Sequence, residues 1–358
     1  MKKILHIAEP FATGVLSFLL DLTKEQVEKY EIYIIYGVRP LTPNNVEELF
    51  DKRIHLIKLN SFKGAILSVT NIKSYIEINK LYKRIKPDIV HLHSSASGFI
   101  GRFALPTIKV KIFYTPHGFS FLQQDGSKIT RYLYWLIEYL SSKRKSKIIA
   151  CSFAEYQEAL KLTTNCTYVN NGINYEDISP YILEKSYLNE PITVCTSGRI
   201  LLQKNPTLFN QVAEYLPDIN FIWIGDGELR TELRAPNIKI TGWLTRKESL
   251  QTLSESDFFI LTSYSEGLSI SLLEAMYLKK ICLVSNVIGN RDVIKNNENG
   301  ILCQTAKDFA YSIEQVIRGK IDGGVLSEQA HNDVKNEYGV IQMAKKYSHI
   351  YESDFNIK

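Results

Sequence analysis

Short apolar runs rich in β-branched residues alternate with helical segments along the whole chain. Helical segments such as 15–29 and 72–85 separate these runs. Strands that are regularly separated by helices form parallel sheets with helices on both faces. The sequence therefore predicts an α/β fold of doubly wound parallel sheets. The predicted strands are Lys3–Ala8, Glu31–Tyr36, His55–Leu59, Asp88–His93, Lys111–Thr115, Lys147–Cys151, Cys166–Val169, Ile192–Ser197, Ile219–Ile224, Ile238–Thr241, Phe258–Leu261 and Ile281–Val284.

The length of the chain indicates two domains. At 358 residues it exceeds what one hydrophobic core usually serves. The polar segment Tyr181–Pro191, which ends in proline, is predicted as the interdomain linker. We therefore predict an N-terminal domain over residues 1–185 and a C-terminal domain over residues 186–340.

Charge is distributed unevenly between these two halves. Residues 1–185 contain 25 Lys and Arg against 17 Asp and Glu, whereas the remainder contains 18 against 21. A basic half predicts contact with an anionic group, such as a phosphate or a membrane surface. We expect no nucleic-acid partner, because the net charge of +5 is modest and no nucleic-acid reading motif occurs.

Cysteine usage and hydropathy indicate the cellular compartment and argue against a structural zinc site. The five cysteines are far apart, without a CxxC motif or a Cys–His cluster, and predict buried reduced thiols and no structural zinc site. No run of about 18 apolar residues occurs that could span a bilayer. Glu9 and Pro10 interrupt the apolar amino terminus, which predicts a first strand rather than a signal peptide. We expect a cytoplasmic protein.

Polar residues follow several of the predicted strands, where parallel sheets bind their ligands. Two such sheets facing each other would form a cleft at these loop edges. The residues concerned are His93, Ser94 and Ser95, His117 and Gly118, Arg199, Gly225 and Gly227, and Glu266.

The most informative motif is SYSEGLSISLLEAM at 263–276. It places Glu266 in a loop and Glu274 in a helix that begins near Ser269–Ser271. Free backbone N–H groups at a helix start bind a diphosphate, helped by the helix dipole. Glu266 could accept hydrogen bonds from sugar hydroxyls, and Glu274 could hold a ribose diol. The alternative is a capping box, in which Ser271 and Glu274 close the helix end.

Two further loops suit phosphate chemistry. Arg199 and Lys204, in SGRILLQKNP at 197–206, could neutralise leaving-group phosphates, or they could be solvated surface cations. The glycine turn at 225–229 lacks the full G-x-G-x-x-G spacing, so dinucleotide binding is poorly supported.

In the first half of the chain, Gly14 opens a helix after the first strand, where the backbone is accessible to a phosphate or an acceptor. His117, between proline and glycine, faces a cleft or has a structural role.

Taken in order, these motifs resemble those of the retaining GT-B glycosyltransferases of family 4, over nearly the whole chain. The residues of the HSS, TPHGF and GNRDVI motifs are similar to those of the branch that builds capsule, O-antigen and related glycans on polyprenyl-diphosphate lipids. The motifs are the glycine loop at 14, PDIVHLHSS at 87–95, TPHGF at 115–119, NNGI at 170–173, SGR and KNP within 197–206, IGDGEL at 224–229, TGWL at 241–244, the two-glutamate motif and GNRDVI at 289–294.

The resemblance implies a GT-B fold: two Rossmann-like domains facing a central cleft, with a C-terminal helix over about 341–358 packing back on the first domain. It implies transfer of a sugar from a nucleotide-sugar, UDP-hexose or UDP-N-acetylhexosamine, to a polyprenyl-diphosphate-linked glycan in surface polysaccharide biosynthesis. It also implies that no cofactor and no metal take part. A nucleotide-sugar epimerase and a catalytically silent nucleotide-sugar-binding module share the fold and stay open as alternatives.

The family roles carry over to matching positions. Arg199 and Lys204 would neutralise the donor diphosphate, and Glu274 would bind the ribose. Glu266 would contact the 3- and 4-hydroxyls of the donor sugar, and His117 would touch the sugar near C6. The start of the glutamate-motif helix would complete the donor site, together with the glycine loops. These further donor-binding residues are Gly14, Gly225, Gly227, Gly267, Leu268, Ser269, Ile270 and Ser271.

The acceptor side would consist of Thr13 and the HSS loop, His93, Ser94 and Ser95. Three positions depart from the family pattern. Thr13 replaces the first of two paired glycines, Ala96 stands where related sequences often have lysine, and Asp292 replaces a more common glutamate.

Retention by double displacement needs a carboxylate beneath the anomeric carbon, and the motifs offer no obvious candidate. The resemblance therefore favours front-face attack, in which the cations and the helix start stabilise the leaving diphosphate. The segment 129–147, ITRYLYWLIEYLSSKRKSK, combines aromatic and apolar residues with a terminal basic cluster. It predicts either peripheral contact with anionic lipid at the inner face of the plasma membrane or a helix packed on the sheet.

Overall fold

The computed structural model describes residues 1–62, 70–106, 110–122, 127–183, 188 and 190–353. The chain forms two compact units. Unit 1 comprises residues 1–122, 126–172 and 340–358, and unit 2 comprises residues 123–125 and 173–339. The predicted linker, 181–191, lies partly outside the described residues.

Unit 1 is built on a seven-stranded parallel sheet with strand order β3-β2-β1-β4-β5-β6-β7. Its strands are β1 Lys2–Ala8, β2 Tyr30–Gly37, β3 His55–Leu59, β4 Ile89–His93, β5 Lys111–Thr115, β6 Lys147–Ala150 and β7 Cys166–Tyr168. Its helices are α1 Thr13–Gln26, α2 Thr70–Ile85, α3 Ser94–Ala104, α4 Lys128–Ser142, α5 Phe153–Leu160 and α13 Val340–Glu352. The last helix, α13, packs against α1.

Unit 2 is built on a six-stranded parallel sheet with strand order β10-β9-β8-β11-β12-β13. Its strands are β8 Thr193–Ser197, β9 Asn220–Ile224, β10 Ile238–Ile240, β11 Phe258–Leu261, β12 Ile281–Ser285 and β13 Ile301–Cys303. Its helices are α6 Tyr175–Ile178, α7 Pro206–Tyr215, α8 Arg246–Glu255, α9 Ile270–Tyr277, α10 Asn290–Val293, α11 Ala306–Ile317 and α12 Gly323–Glu337.

The predicted fold class is confirmed, and each of the twelve predicted strands agrees with an observed one to within one residue at each end. The agreement has a physical cause: central strands such as β4 and β11 are buried along their whole length, which favours apolar residues, so that β11 is wholly apolar and β4 contains two histidines among its apolar residues. The sequence analysis missed β13, whose three residues, Ile-Leu-Cys, are too short to form a recognisable run.

Strand order reverses once in each sheet, between β1 and β4 in unit 1 and between β8 and β11 in unit 2. At such a reversal the loops diverge and leave a crevice outside the carboxyl ends of the strands, where doubly wound sheets bind ligands. The residues that follow these four strands are therefore the strongest candidates for a ligand-binding site.

The five cysteines are free thiols; four of them are buried, as predicted, whereas Cys166 is only half-buried. Burial raises the pKa of the Cys195 thiol to about 12, so this thiol stays protonated and unreactive. Within the described part of the chain, no helix is both long and apolar enough to cross a membrane.

Candidate active site

In unit 2, Lys204 and Glu266 come together beside the strand reversal. Lys204 lies in the loop after β8 and Glu266 in the loop after β11, and Lys204 Nζ is 2.7 Å from Glu266 Oε1. The two side chains are only 17% and 7% exposed. Ser263 Oγ also donates to Glu266 Oε1, at 2.5 Å. The structure thus pairs the predicted phosphate-binding lysine with the predicted sugar-binding glutamate.

Arg199 follows β8 directly and is paired with Glu228, a residue that the sequence analysis did not single out. Arg199 Nε donates to Glu228 Oε2 at 3.1 Å, and Nη2 donates to Oε1. The arginine is 38% exposed and the glutamate 59%. A diphosphate that binds this guanidinium would compete with Glu228, and the exposed pair is the kind that exchanges at little cost.

The start of α9 lies beside this ion-paired loop. Ser269 is the N-cap and makes no side-chain capping bond among the described residues, so the N–H groups of the first turn keep their hydrogen-bonding capacity. Ser269 Oγ lies 3.0 Å from Ser271 Oγ, which in turn donates to the Ser197 carbonyl at 3.3 Å. Gly267 and Leu268 lead into this turn and Ile270 begins it.

The capping-box alternative for Ser271 and Glu274 is wrong. The helix begins at Ile270, which makes Ser271 its second residue rather than its cap. Glu274 is buried and its Oε1 instead accepts a 2.6 Å hydrogen bond from Arg246 Nη1 on α8. The sequence analysis missed Arg246, because nothing in the sequence indicates that α8 and α9 meet there.

The glycines of the 225–229 turn are explained by backbone packing. A Cβ at Gly225 would lie 2.3 Å from the Gly198 carbonyl oxygen, and one at Gly227 would lie 2.3 Å from that of Ile200. Gly225 also has a φ of +136°. Both glycines therefore hold the loops after β8 and β9 against each other; contact with a donor remains a prediction for them.

In unit 1, the predicted acceptor-side residues and the predicted donor-binding Gly14 follow β1 and β4. Gly14 lies exposed in the first turn of α1, and a Cβ there would meet nothing within 4 Å. Thr13 begins this helix, but its side chain is outside the described residues. Ser94 has a left-handed φ of +70°, and Ser95 Oγ accepts a 2.9 Å hydrogen bond from Ser120 Oγ.

His117 follows β5 with a left-handed φ of +54°. The side chain of His117 is half-buried. Its Nε2 lies 3.1 Å from Nδ1 of His93, which is fully buried. Gly118 donates its N–H to Glu155 Oε1 at 2.6 Å, and Cys151 N–H donates to Glu155 Oε2 at 2.7 Å. Glu155 thereby fixes the loop that carries His117. Burial raises the pKa of Glu155, against these hydrogen bonds.

Two family models match the chain in succession. Residues 12–177 match the model described as Glycosyltransferase Family 4, and residues 182–336 match the model described as Glycosyl transferases group 1.

Named relatives and solved structures agree with these models. The chain is 30% identical over 317 residues to the Escherichia coli UDP-Gal:alpha-D-GlcNAc-diphosphoundecaprenol alpha-1,3-galactosyltransferase, covering 79% of this chain and 80% of the relative. It is 23% identical over 353 residues to the Campylobacter jejuni N,N'-diacetylbacillosaminyl-diphospho-undecaprenol alpha-1,3-N-acetylgalactosaminyltransferase, covering 90% and 91%. Sucrose-phosphate synthase from Thermosynechococcus elongatus has the same fold, with a TM-score of 0.82, 14% identity and 98% of each chain covered.

Proposed function

The chain belongs to the group 1, family 4 glycosyltransferases, and on that premise we propose that it transfers a hexose or N-acetylhexosamine from UDP to a polyprenyl-diphosphate-linked glycan in surface polysaccharide synthesis. The names of the Escherichia coli and Campylobacter jejuni relatives support this acceptor class, since both describe sugar transfer to a diphosphoundecaprenol-linked sugar, and the Escherichia coli name also supports a UDP-sugar donor. Both named activities are transfers, so the comparison gives no support to the epimerase alternative.

The observation that carries the proposal is the Lys204–Glu266 pair beside the uncapped start of α9. Lys204, Arg199 and the first-turn N–H groups offer positive charge and donors to the leaving diphosphate. Glu266 offers carboxylate oxygens to the hydroxyls of the donor sugar, and Glu274 offers them to the ribose. Charge stabilisation at the leaving group acts most strongly in the transition state, which is where it accelerates transfer.

Retention of configuration and independence of metal are part of the proposal. Arg199, Lys204 and Arg246 already provide cationic groups around the loops after β8, β10 and β11. Front-face attack would let the leaving diphosphate help to deprotonate the acceptor, so it requires no separate carboxylate nucleophile. Thr13 and the 93–95 loop, which follow β1 and β4, would serve the acceptor side, and Gly14 would contribute to the donor site.

The last part of the proposed function is contact with the membrane, and the exposed side chains of α4 support it. Four apolar side chains on this helix are 47–74% exposed: Ile129, Tyr132, Leu133 and Leu140. Their spacing places them along one side of the helix. Lys143, Arg144 and Lys145 follow at its carboxyl end and are exposed. An apolar stripe that ends in cations suits an anionic lipid surface, and a lipid-linked acceptor would bring the enzyme there.

The donor and acceptor are tested with a panel of UDP- and GDP-sugars, each incubated with a polyprenyl-diphosphate-linked GlcNAc acceptor and analysed by mass spectrometry. We expect one UDP-sugar to add a single sugar to the acceptor. Conversion of a donor without acceptor would indicate epimerisation, and binding without turnover would indicate a silent module; either result would reject the proposal.

Membrane contact is tested separately by liposome sedimentation. We expect binding that requires anionic lipid, falls with salt, and drops when Lys143, Arg144 and Lys145 are changed to Ser. A matched control changes three exposed lysines of unit 2, Lys239, Lys247 and Lys307, to Ser. Equal binding to neutral vesicles, or none at low salt, would reject the membrane contact and leave the transfer reaction unaffected.

A further inference from the structure

Three histidines of unit 1, His6, His91 and His93, are brought together by the sheet, and a fourth, His117, lies at its edge. His6 on β1 pairs in register with His91 on β4, and Ala8 pairs with His93. His6, His91 and His93 are fully buried, and one ring nitrogen of each lies within 4.8 Å of the other two. Such a cluster can hold a metal ion, or it can form a chain of hydrogen bonds.

Hydrogen bonds occupy both ring nitrogens of each buried histidine. His6 Nε2 lies 3.1 Å from Gln26 Oε1, and His6 Nδ1 lies 3.0 Å from His93 Nε2. His93 Nδ1 lies 3.1 Å from His117 Nε2. His91 is bonded elsewhere, to Tyr351 Oη at 2.6 Å and Thr115 Oγ1 at 2.8 Å. A metal would have to break these bonds, so the geometry favours a continuous chain from Gln26 through His6 and His93 to His117.

The rings of this chain are neutral. Burial lowers the pKa of His6 to about 4 and that of His117 to about 3, and it holds the pKa of His93 well below the usual range. A neutral imidazole has one N–H donor and one acceptor nitrogen. In a chain of three such rings every hydrogen bond must therefore point the same way, and the group at one end decides the tautomer at the other.

Gln26 is the end group that sets the direction of the hydrogen bonds in this chain. Its Oε1 can only accept, so it takes the N–H from His6 Nε2. Its Nε2 is buried without a close hydrogen-bond partner among the described residues. The direction of the chain therefore follows from the 3.1 Å contact between Gln26 Oε1 and His6 Nε2.

We propose that Gln26, His6 and His93 are positioning residues that hold His117 as its Nε2–H tautomer and leave Nδ1 as a hydrogen-bond acceptor. Among the described residues no hydrogen bond reaches this Nδ1, and the ring of His117 makes an edge contact with Phe18 at 4.7 Å between centroids. The consequence for selectivity rests on the proposed function and on the role that the family resemblance gives His117, contact with the donor sugar near C6. A neutral acceptor there suits a C6 hydroxyl and disfavours a C6 carboxylate, because that group brings negative charge and no proton.

The tautomer is measured directly by ¹⁵N NMR of the imidazole nitrogens in the full-length protein at pH 7. We expect His117 with a protonated Nε2 and an unprotonated Nδ1. In Gln26→Met the acceptor at the end of the chain is gone, and we expect the Nδ1–H tautomer of His117 to become populated. The control, His91→Gln, removes a buried histidine outside the chain, and the His117 tautomer should not change.

Selectivity gives a second measurement. The wild type should prefer a UDP-hexose to the matching UDP-hexuronate, and Gln26→Met should reduce that preference by about tenfold, mainly through KM. An Nδ1–H tautomer in the wild type would overturn the inference, whether or not any UDP-sugar is a donor. One equivalent of tightly held zinc in the purified protein would also overturn it, in favour of a metal site at His6, His91 and His93. Failure of every donor with the expected tautomer in place would count against the proposed function alone.

Discussion

The histidine chain of unit 1 and the ion pairs of unit 2 hold polar side chains in different ways. In unit 1 the rings of His6 and His93 are buried, that of His117 is half-buried, and the three are neutral and joined by hydrogen bonds. In unit 2 the groups are charged and joined as ion pairs, such as Lys204–Glu266 and Arg199–Glu228. Neutral acceptors and donors match sugar hydroxyls, whereas mobile cations match a diphosphate.

The difference also predicts how each edge responds to a ligand. A diphosphate that bound the proposed site in unit 2 would take Arg199 and Lys204 away from their carboxylates, so binding there would exchange one charged partner for another. In unit 1 a hydroxyl can bind without breaking any of the hydrogen bonds of the ring chain. We therefore expect substitutions in unit 2 to act mainly on catalysis, and those in unit 1 to act through stability and selectivity.

The largest effect is expected from the phosphate-binding cations. Arg199→Ala or Lys204→Ala should lower kcat/KM by roughly 10²-fold or more, because stabilisation of the leaving group is lost. Arg199→Ala should leave the free energy of unfolding almost unchanged, since its pair is exposed. Lys204→Ala should also destabilise unit 2, because Glu266 would remain buried without its cation. Steady-state kinetics and urea unfolding measure the two effects.

The matched control for this pair is Arg230→Ala. Arg230 is exposed and paired with Asp226 at 2.9 Å in the same unit, but we assign it no contact with the donor. Its kcat/KM should stay close to that of the wild type. Equal losses in Arg230→Ala and Arg199→Ala would mean that surface charge in general, and not the proposed site, is responsible.

Acid should destabilise unit 1 before unit 2. The usual histidine pKa is 6.5, and burial lowers that of His6 to about 4. Below pH 6.5 the unfolded chain therefore binds protons that the folded unit excludes, and stability falls as the pH drops towards 4. One such ring costs about 2 kcal/mol between pH 6.5 and 5. Hydrogen exchange at pH 7 and pH 5, followed in peptides of both units and corrected for intrinsic rates, measures this; equal loss of protection in both units would contradict it.

Most of the fold could be predicted from the sequence, but the partners of the site residues could not. Buried parallel strands are mostly apolar, which is why β11, and β4 despite its two histidines, were recognisable. The contact of His6 with His93 depends on β1 lying beside β4, and strand order is not written in local sequence. The pairing of Arg246 with Glu274 likewise depends on how α8 and α9 pack. Local motifs thus identified candidate residues, while non-local packing decided what they touch.

A smaller effect should separate the two glutamates of unit 2. Glu274→Gln should weaken UDP binding by about tenfold, because an amide binds a ribose diol less strongly than a carboxylate and also loses the Arg246 ion pair. Glu266→Gln should slow transfer while UDP binding stays near normal. Calorimetric titration with UDP measures both. The control is Glu314→Gln, an exposed glutamate paired with Arg318 on α11, which should leave UDP binding unchanged; a similar loss in all three variants would remove the distinction.

The smallest effect is expected from metal removal: activity should survive an excess of EDTA. Mg²⁺ and Mn²⁺ bind through carboxylate oxygens, and the three glutamates nearest the proposed donor site are each already hydrogen-bonded to a cation, Glu228 by Arg199, Glu266 by Lys204 and Glu274 by Arg246. A divalent ion would have to displace those cations, and the positive charge that it brings is already present. Unchanged initial rates with EDTA would support the contrast between a cation-based site in unit 2 and neutral groups in unit 1. A loss of activity that Mg²⁺ or Mn²⁺ restores would mean that the carboxylates of unit 2 act as metal ligands, and the roles given to Arg199 and Lys204 would then have to be reassigned.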